Sequence, residues 1–365
     1  VLAHRKSGGY MRKINKYFIA AVLVLVFMQF SAGLFAKTQK KIKMISTCGM
    51  IAQRYSYSKR EKIPTVSPLE VVKAVPELRE MAEIEIEEFS NINASLMTPQ
   101  KMYDLAVSAW KTLKDPEVAG VVIIYGTETI EEAAFLTELL IDSEKPIVMT
   151  GAQRNPSDPS ADGPANLVDA VLVALDDESR NRGTLVVFNN KIFSAKEVSK
   201  VNSNGVDSLQ SPYGPVGTIQ SGRVIYLRPR EKRFTLDAAD ASRKVQLIKM
   251  VPGMDALFLR VAITGGAEAV VIEGFGAGIL NEDNFLAIDS AFEQKMPVVI
   301  VSRCGSGFVD AGFDSQFAGK SLASKGVIFG GDLTGPKARI LLMLALSKTR
   351  DTKEIQGYID RLYTR

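Results

Sequence analysis

Histidine is nearly missing from this chain. Its 365 residues hold one, His4, and that one falls in a segment that reads as a removable leader, so residues 37–365 have none. The absence excludes Ser-His-Asp and Cys-His hydrolase mechanisms. It also argues against a transition-metal site, because imidazole is the commonest ligand. Catalysis, where it occurs, falls to hydroxyls, Lys, Tyr and carboxylates. Cysteine is scarce as well. Cys48 and Cys304 are the two present, both where strands are expected to end; spacing gives no distance between them, so a disulfide stays open. A glycine-rich phosphate fingerprint is absent, which removes a nucleotide-binding reading. No repeat or low-complexity tract stands out, and beyond residue 36 no apolar run reaches membrane-spanning length.

The start of the chain is what gives it an excess of positive charge. Met11-Arg12-Lys13 and Lys16 form a basic beginning, Phe18 to Met28 is almost unbroken apolar sequence, and the small residues Ser31-Ala32-Gly33 and Ala36 follow. This is the layout of a cleaved secretory signal peptide, with Met11 the natural start and residues 1–10 upstream read-through. An uncleaved anchor is the alternative, and periplasmic export is the expectation. Residues 1–36 carry five basic and no acidic side chains, so the formal +4 of the whole chain becomes close to −1 once they are removed. The pI of 8.8 therefore reflects the export signal and gives no ground for a nucleic-acid partner.

The remainder alternates apolar strand-like runs with amphipathic helical stretches. Strands are expected at 42–46, 120–124, 146–150 and 184–188, and helices at 69–82, 99–113, 130–141 and 164–174. In the second of these helical stretches, 99–113, Met102, Leu105, Ala106 and Ala109 follow helical spacing. Alternation with short links implies a parallel sheet covered on both faces. Ligands then sit beyond the carboxyl ends of the strands, where the loops 47–57, 125–129 and 151–163 emerge. A charged, proline-containing stretch from Tyr226 reads as a linker. Strands at 269–272, 297–301 and 326–329 and a helix at 336–346 then build a second, smaller α/β domain. The organisation is a leader over 1–36, an N-terminal domain over 37–225, a linker over 226–245 and a C-terminal domain over 246–365.

Three loops could hold chemistry. "YGTETIEEAAFL" (125–136) opens a helix with Thr127, Glu128, Glu131 and Glu132, yet an N-cap with an acidic first turn is common. "VMTGAQRNPSDPSADGPANL" (148–167) is a Gly/Pro-rich loop bearing Asp158 and Asp162, which ordinary surface loops also carry. "SAKEVSKVNS" (194–203) presents Lys196 and Lys200, residues that are usually solvated.

In this order and spacing the pieces resemble the bacterial L-asparaginase/glutaminase family, in its exported type II form, over nearly all of residues 41–365. Thr47-Cys48-Gly49-Met50-Ile51 is similar to the TGGTI-like first loop, and Tyr125-Gly126-Thr127-Glu128-Thr129 to the HGTDT-like second loop. Gly151 to Leu167, Lys200 in "KEVSK", "YGPVG" at 213–217 and "GVIFGGDLTGPKARILLMLAL" at 326–346 also match. The resemblance implies a two-domain α/β fold, with a larger flavodoxin-like parallel-sheet domain before a smaller α/β one. It implies hydrolysis of a side-chain amide of asparagine or glutamine to acid and ammonia, no metal or organic cofactor, and a homotetramer built as a dimer of dimers. It also implies a first-loop threonine nucleophile and a Thr-Lys-Asp set.

Several of those positions have changed. Met50 stands at the nucleophile position, and a thioether has no proton to exchange and is a poor acyl acceptor. Thr127 and Lys200 are retained, and Glu128 replaces the aspartate that would hold the α-amino group. Tyr125 stands where the family has histidine. Ala94 lacks the hydroxyl expected to bind the α-carboxylate, and Ser95, one residue on, is only a partial replacement. Gly151 and Ala152 are kept at the amide end. Tyr57, or Tyr55, is the candidate lid tyrosine. Two readings follow. One is a weak or altered amidohydrolase using Thr127, Lys200 and Glu128, with Cys48 a minor candidate nucleophile. The other is an inactive pseudoenzyme that binds a small amide or amino-acid-like ligand.

Overall fold

The computed structural model describes residues 39–47, 49–56, 61–64 and 67–363, without the side chains of Met50, Gln53–Ser56 and Glu61–Pro64. The expected leader, Cys48 and Tyr57 lie outside the described residues.

The larger sheet has eight strands. From one edge they run Arg223–Tyr226, Gly217–Gln220, Lys191–Ser194, Thr184–Phe188, Ile147–Thr150, Val118–Ile124, Lys41–Ser46 and Glu83–Glu88. The last five in that order pair in parallel. The first three join them antiparallel, so the sheet is mixed where alternation alone implied a parallel one. The parallel strands are apolar nearly throughout because helices cover both faces. Val121, Ile123 and Met149 pack beneath the helices Pro99–Leu113 and Ile130–Leu140, while Val122, Ile124 and Val148 pack beneath Gly163–Leu175. The outer strand Glu83–Glu88 carries glutamate at 83, 85, 87 and 88, and Lys43 on the neighbouring strand pairs with Glu85 at 2.7 Å and Glu87 at 3.5 Å.

The chain leaves Lys41–Ser46 toward one edge, returns, and continues at Val118–Ile124 on the other side. The topological switch point therefore lies between these two strands, and the loops that follow them flank the crevice where ligands bind in open α/β sheets.

Local sequence sets the helix ends. Thr98 caps Pro99–Leu113, its hydroxyl accepting the Lys101 N–H at 3.3 Å, and the proline sits where no N–H is needed. The expected single helix over 69–82 is instead two, Pro68–Lys73 and Glu77–Met81. Pro76 has no N–H to continue the first helix, and its ring would clash with the preceding turn.

Residues 227–244 form no helix or strand, and Val245–Lys249 opens a four-stranded parallel sheet with Ala269–Gly274, Val298–Ser302 and Ile328–Phe329. The helix Gly335–Leu346 packs on this sheet and also on Ile130–Leu140 of the larger one. Cys304 is a free, exposed thiol. No helix among the described residues is long and apolar enough to cross a membrane.

Candidate active site

The first two loops meet backbone to backbone at the switch point. Thr47 donates both its N–H (3.0 Å) and its hydroxyl (3.1 Å) to the Ile124 carbonyl, at the end of the neighbouring strand. Gly49 takes φ +93°, and a β-carbon there would stand 2.9 Å from Gly126 Cα. Glycine is therefore required on both conformational and steric grounds. Met50 begins a short 3-10 turn, Met50–Ala52, closed by the Ala52 N–H on the Gly49 carbonyl at 3.1 Å.

Thr127, on the second loop, is 2 % exposed. Lys200 Nζ donates to its Oγ1 at 2.8 Å, and that hydroxyl donates to Gln153 Oε1, also at 2.8 Å. Lys200 Nζ reaches the same Gln153 oxygen at 3.3 Å. Thr127, Lys200 and Gln153 thus form a closed triangle of polar atoms. Gln153 is held by its other end, with Nε2 donating to the carbonyls of Ser203 (3.3 Å) and Gly205 (3.2 Å). This fixes which way the carboxamide faces.

Three chain segments deliver these groups. Thr127 comes just before the helix Ile130–Leu140. Gln153 follows the strand Ile147–Thr150, in a loop organised by Asp162, whose carboxylate accepts the N–H groups of Gln153 and Arg154 and the Asn166 amide. Lys200 ends the two-residue strand Ser199–Lys200, paired antiparallel with Leu209–Gln210. Its backbone N–H points at Glu131 Oε1, 3.5 Å away.

The other positions singled out in the sequence surround the triangle. Ala94 is 3 % exposed and lies against Gly126, where an added β-carbon would collide with it; its carbonyl accepts the Thr129 hydroxyl at 3.1 Å. Ser95 is exposed, and its hydroxyl donates to Asn93 Oδ1 at 3.0 Å within its own turn. Glu128 is exposed with its carboxylate on the Gly126 side, 2.8 Å from where a β-carbon on Gly126 would stand. Ala152 is buried beside Gly163. Tyr125 is fully buried, its hydroxyl 3.3 Å from Thr129 Oγ1, and burial pushes that phenol well above its usual range. Under the second loop, burial raises the Glu132 carboxyl to about 7, with Glu131 adding to the effect.

Gln153 is the site residue that sequence reasoning passed over. It adjoins Gly151 and Ala152, but its role depends on the carbonyls of residues 203 and 205, and no local pattern announces those. The only available signal was a carboxamide directly after a strand end at the ligand-binding edge.

A hydroxyl hydrogen-bonded to a lysine amine, at the carboxyl edge of a doubly wound sheet, is an arrangement that can carry acyl-transfer chemistry without histidine. The chain belongs to the asparaginase/glutaminase family. The family model described as Asparaginase, N-terminal, matches residues 41–232, and the Glutaminase/Asparaginase C-terminal domain matches residues 244–359. Similar proteins include the probable periplasmic L-asparaginase of Haemophilus influenzae, 33 % identical over 328 residues, covering 87 % of this chain and 92 % of that one. L-asparaginase 2 of Bacillus subtilis is 32 % identical over 333 residues, covering 89 % of this chain and 87 % of that one. Among solved structures, a probable cytoplasmic L-asparaginase from Campylobacter jejuni superposes with a TM-score of 0.78 at 32 % identity, covering 88 % of this chain and 99 % of that one.

Proposed function

We propose that this chain hydrolyses the side-chain amide of asparagine, glutamine or a related short primary amide, with Thr127 as nucleophile and Lys200 as base. The observation that carries the reading is the 2.8 Å contact between Lys200 Nζ and Thr127 Oγ1. Met50 offers no oxygen to attack with, so the surviving hydroxyl–amine pair takes the whole reaction.

In its neutral form Lys200 removes the Thr127 proton as Oγ1 bonds to the amide carbon. Collapse of the tetrahedral intermediate breaks the C–N bond, and the proton on Lys200 passes to the nitrogen, which leaves as ammonia. Water, deprotonated by Lys200, then attacks the threonyl ester, releasing the acid and restoring Thr127. The Gln153 carbonyl accepts from both the hydroxyl and the lysine nitrogen at rest. The cycle starts from the form in which Lys200 has given a proton to solvent, and the hydroxyl proton turns to that free lone pair when substrate displaces the Gln153 contact.

Ala94 and the turned-away Ser95 hydroxyl weaken the grip on an α-carboxylate, so amides without an amino-acid head group compete better here than in a site with that hydroxyl. Loss of one hydrogen bond to a charged group amounts to roughly 1.5–3 kcal/mol. Glu128 on the open side of Gly126 is the candidate partner for a substrate ammonium, Ala152 lines the amide end, and Tyr57 is the candidate lid. An exported location and a homotetrameric assembly belong to the same proposal. The relative named as periplasmic supports the first, although another relative is named as cytoplasmic.

The test is ammonia release from asparagine, glutamine and short amides by purified protein. Thr127→Val and Lys200→Met are each expected to lower the rate by about a thousandfold or more, and Met50→Thr to raise it on asparagine. Full activity in Thr127→Val would falsify the nucleophile assignment. A second reading, an inactive ligand-binding protein, is favoured by the Met50 and Ala94 replacements. Ligand-dependent thermal stabilisation with no ammonia from any amide would establish it instead.

A further inference from the structure

Lys337 is 1 % exposed and the one lysine among the described residues in the fully buried class. It lies in the first turn of Gly335–Leu346, the helix that packs on the smaller sheet and on the helix Ile130–Leu140 of the larger domain. Its Nζ donates to two carbonyls of the larger domain, Lys196 O at 2.8 Å and Val198 O at 2.5 Å. Burial pushes this amine down to about 8, while Glu131, Asp332, Glu132 and Glu197 hold it up. An apolar side chain of similar length would fill the space without the desolvation cost of an ammonium. The charge is placed where it fixes backbone.

The backbone it fixes leads into the site. Lys196 and Val198 stand four and two residues before Lys200. The same segment supplies the Ser203 and Gly205 carbonyls that hold Gln153. Two further ties run between this segment and the C-terminal part of the chain. Lys196 Nζ donates to Leu362 O at 2.8 Å, and the Tyr213 hydroxyl donates to Asp332 Oδ2 at 2.7 Å. The aim of Lys200 is thus set by residues that follow it by more than a hundred positions.

We infer that Lys337 is a positioning residue: through the carbonyls of Lys196 and Val198 it holds the segment that presents Lys200 to Thr127 and braces Gln153. The inference rests on the reading of Lys200 as the base. Its test is therefore given one readout that needs turnover and one that does not.

Lys337→Met and Tyr213→Phe would be made in the full chain. Tyr213 is 53 % exposed, so its variant loses one tie without a core defect. The readouts are kcat and KM for amide hydrolysis well below the lowest melting temperature, and the rate at which sulfo-NHS-acetate acetylates Lys200, followed by peptide mass spectrometry with Lys353 as an internal reference. Lys337→Met is expected to lower kcat 10- to 100-fold with KM within twofold, and to raise Lys200 acetylation at least threefold as the amine leaves Thr127. Tyr213→Phe is expected to shift both in the same direction by two- to fivefold. If neither variant releases ammonia and the unmodified protein does not either, the hydrolase reading fails, and altered Lys200 labelling still upholds the positioning role. A lowered melting temperature with kcat and Lys200 labelling unchanged overturns it, because Lys337 is then structural only. Should Lys337→Met not fold, unchanged labelling and kcat in Tyr213→Phe overturn it equally.

Discussion

Gln153 Oε1 receives two hydrogen bonds at the centre of the site, one from a hydroxyl and one from an ammonium. A leucine of similar size would leave both donors without that acceptor. Hydrogen bonds involving a charged group contribute on the order of 1.5–3 kcal/mol, which converts to roughly 10- to 100-fold in rate. Gln153→Leu is accordingly expected to lower kcat by that range in an ammonia-release assay, with Gln153→Glu retaining more activity because an acceptor remains. An unchanged kcat in Gln153→Leu would mean that Thr127 and Lys200 hold their contact unaided. Thr127 and Lys200 were legible in the sequence because each sits inside a local motif. Gln153 was not, since its importance comes from a hairpin some fifty residues further on.

Among elements, the helix Gly163–Leu175 carries a buried carboxylate on its packed face. Among the described residues Asp169 has no cation as a hydrogen-bond partner; Asn190 Nδ2 donates to it at 3.0 Å, and burial raises its carboxyl to about 6. Since the folded form holds its proton more tightly than the unfolded one, this group's contribution falls as pH rises from about 4 to about 6, and the loss is complete above that. Asp169→Asn is expected to be more stable than the unchanged protein by at most about 3 kcal/mol at pH 7.5 and equal to it below pH 4. Urea unfolding at the two pH values checks this, and a gain of the same size at both would refute the assignment. Nothing in the helix's apolar periodicity marked Asp169 as buried. Elements with strong local signals, such as Pro99–Leu113 with its Thr98 cap, were readable to their ends. The edge strand Glu83–Glu88 was not, because its alternating glutamates resemble a solvated loop, and the short strands around Lys200 are defined by pairing alone.

At the scale of the whole molecule, Arg233 fastens the segment between the two sheets to the larger one. It donates to Glu138 Oε1 at 2.8 Å and to the carbonyls of Ser143 (3.1 Å) and Ile141 (2.6 Å), and both charged side chains are 15 % exposed. Glu138 also accepts the Thr184 N–H at 2.6 Å, and burial raises its carboxyl even though Arg233 and that N–H oppose the shift. Removing one partner of such a pair leaves a buried charge uncompensated, at about 3–5 kcal/mol. Arg233→Leu should lose that much in urea unfolding, and adding Glu138→Gln should recover a large part. A double variant no more stable than the single one would show that the carbonyl contacts, and not the ion pair, matter here. The alternation that made an α/β protein legible said nothing of such ties, which join residues nearly a hundred positions apart.

The glutamates of Glu83–Glu88 have a bearing on how copies of the chain can meet. A sheet border left open invites another molecule to add its own strand, the first step toward fibrous aggregates. Here two copies approaching border to border would bring like charges together, offset in part by Lys43 and Lys41 on the neighbouring strand. Strand-by-strand growth from this particular border is therefore opposed by charge.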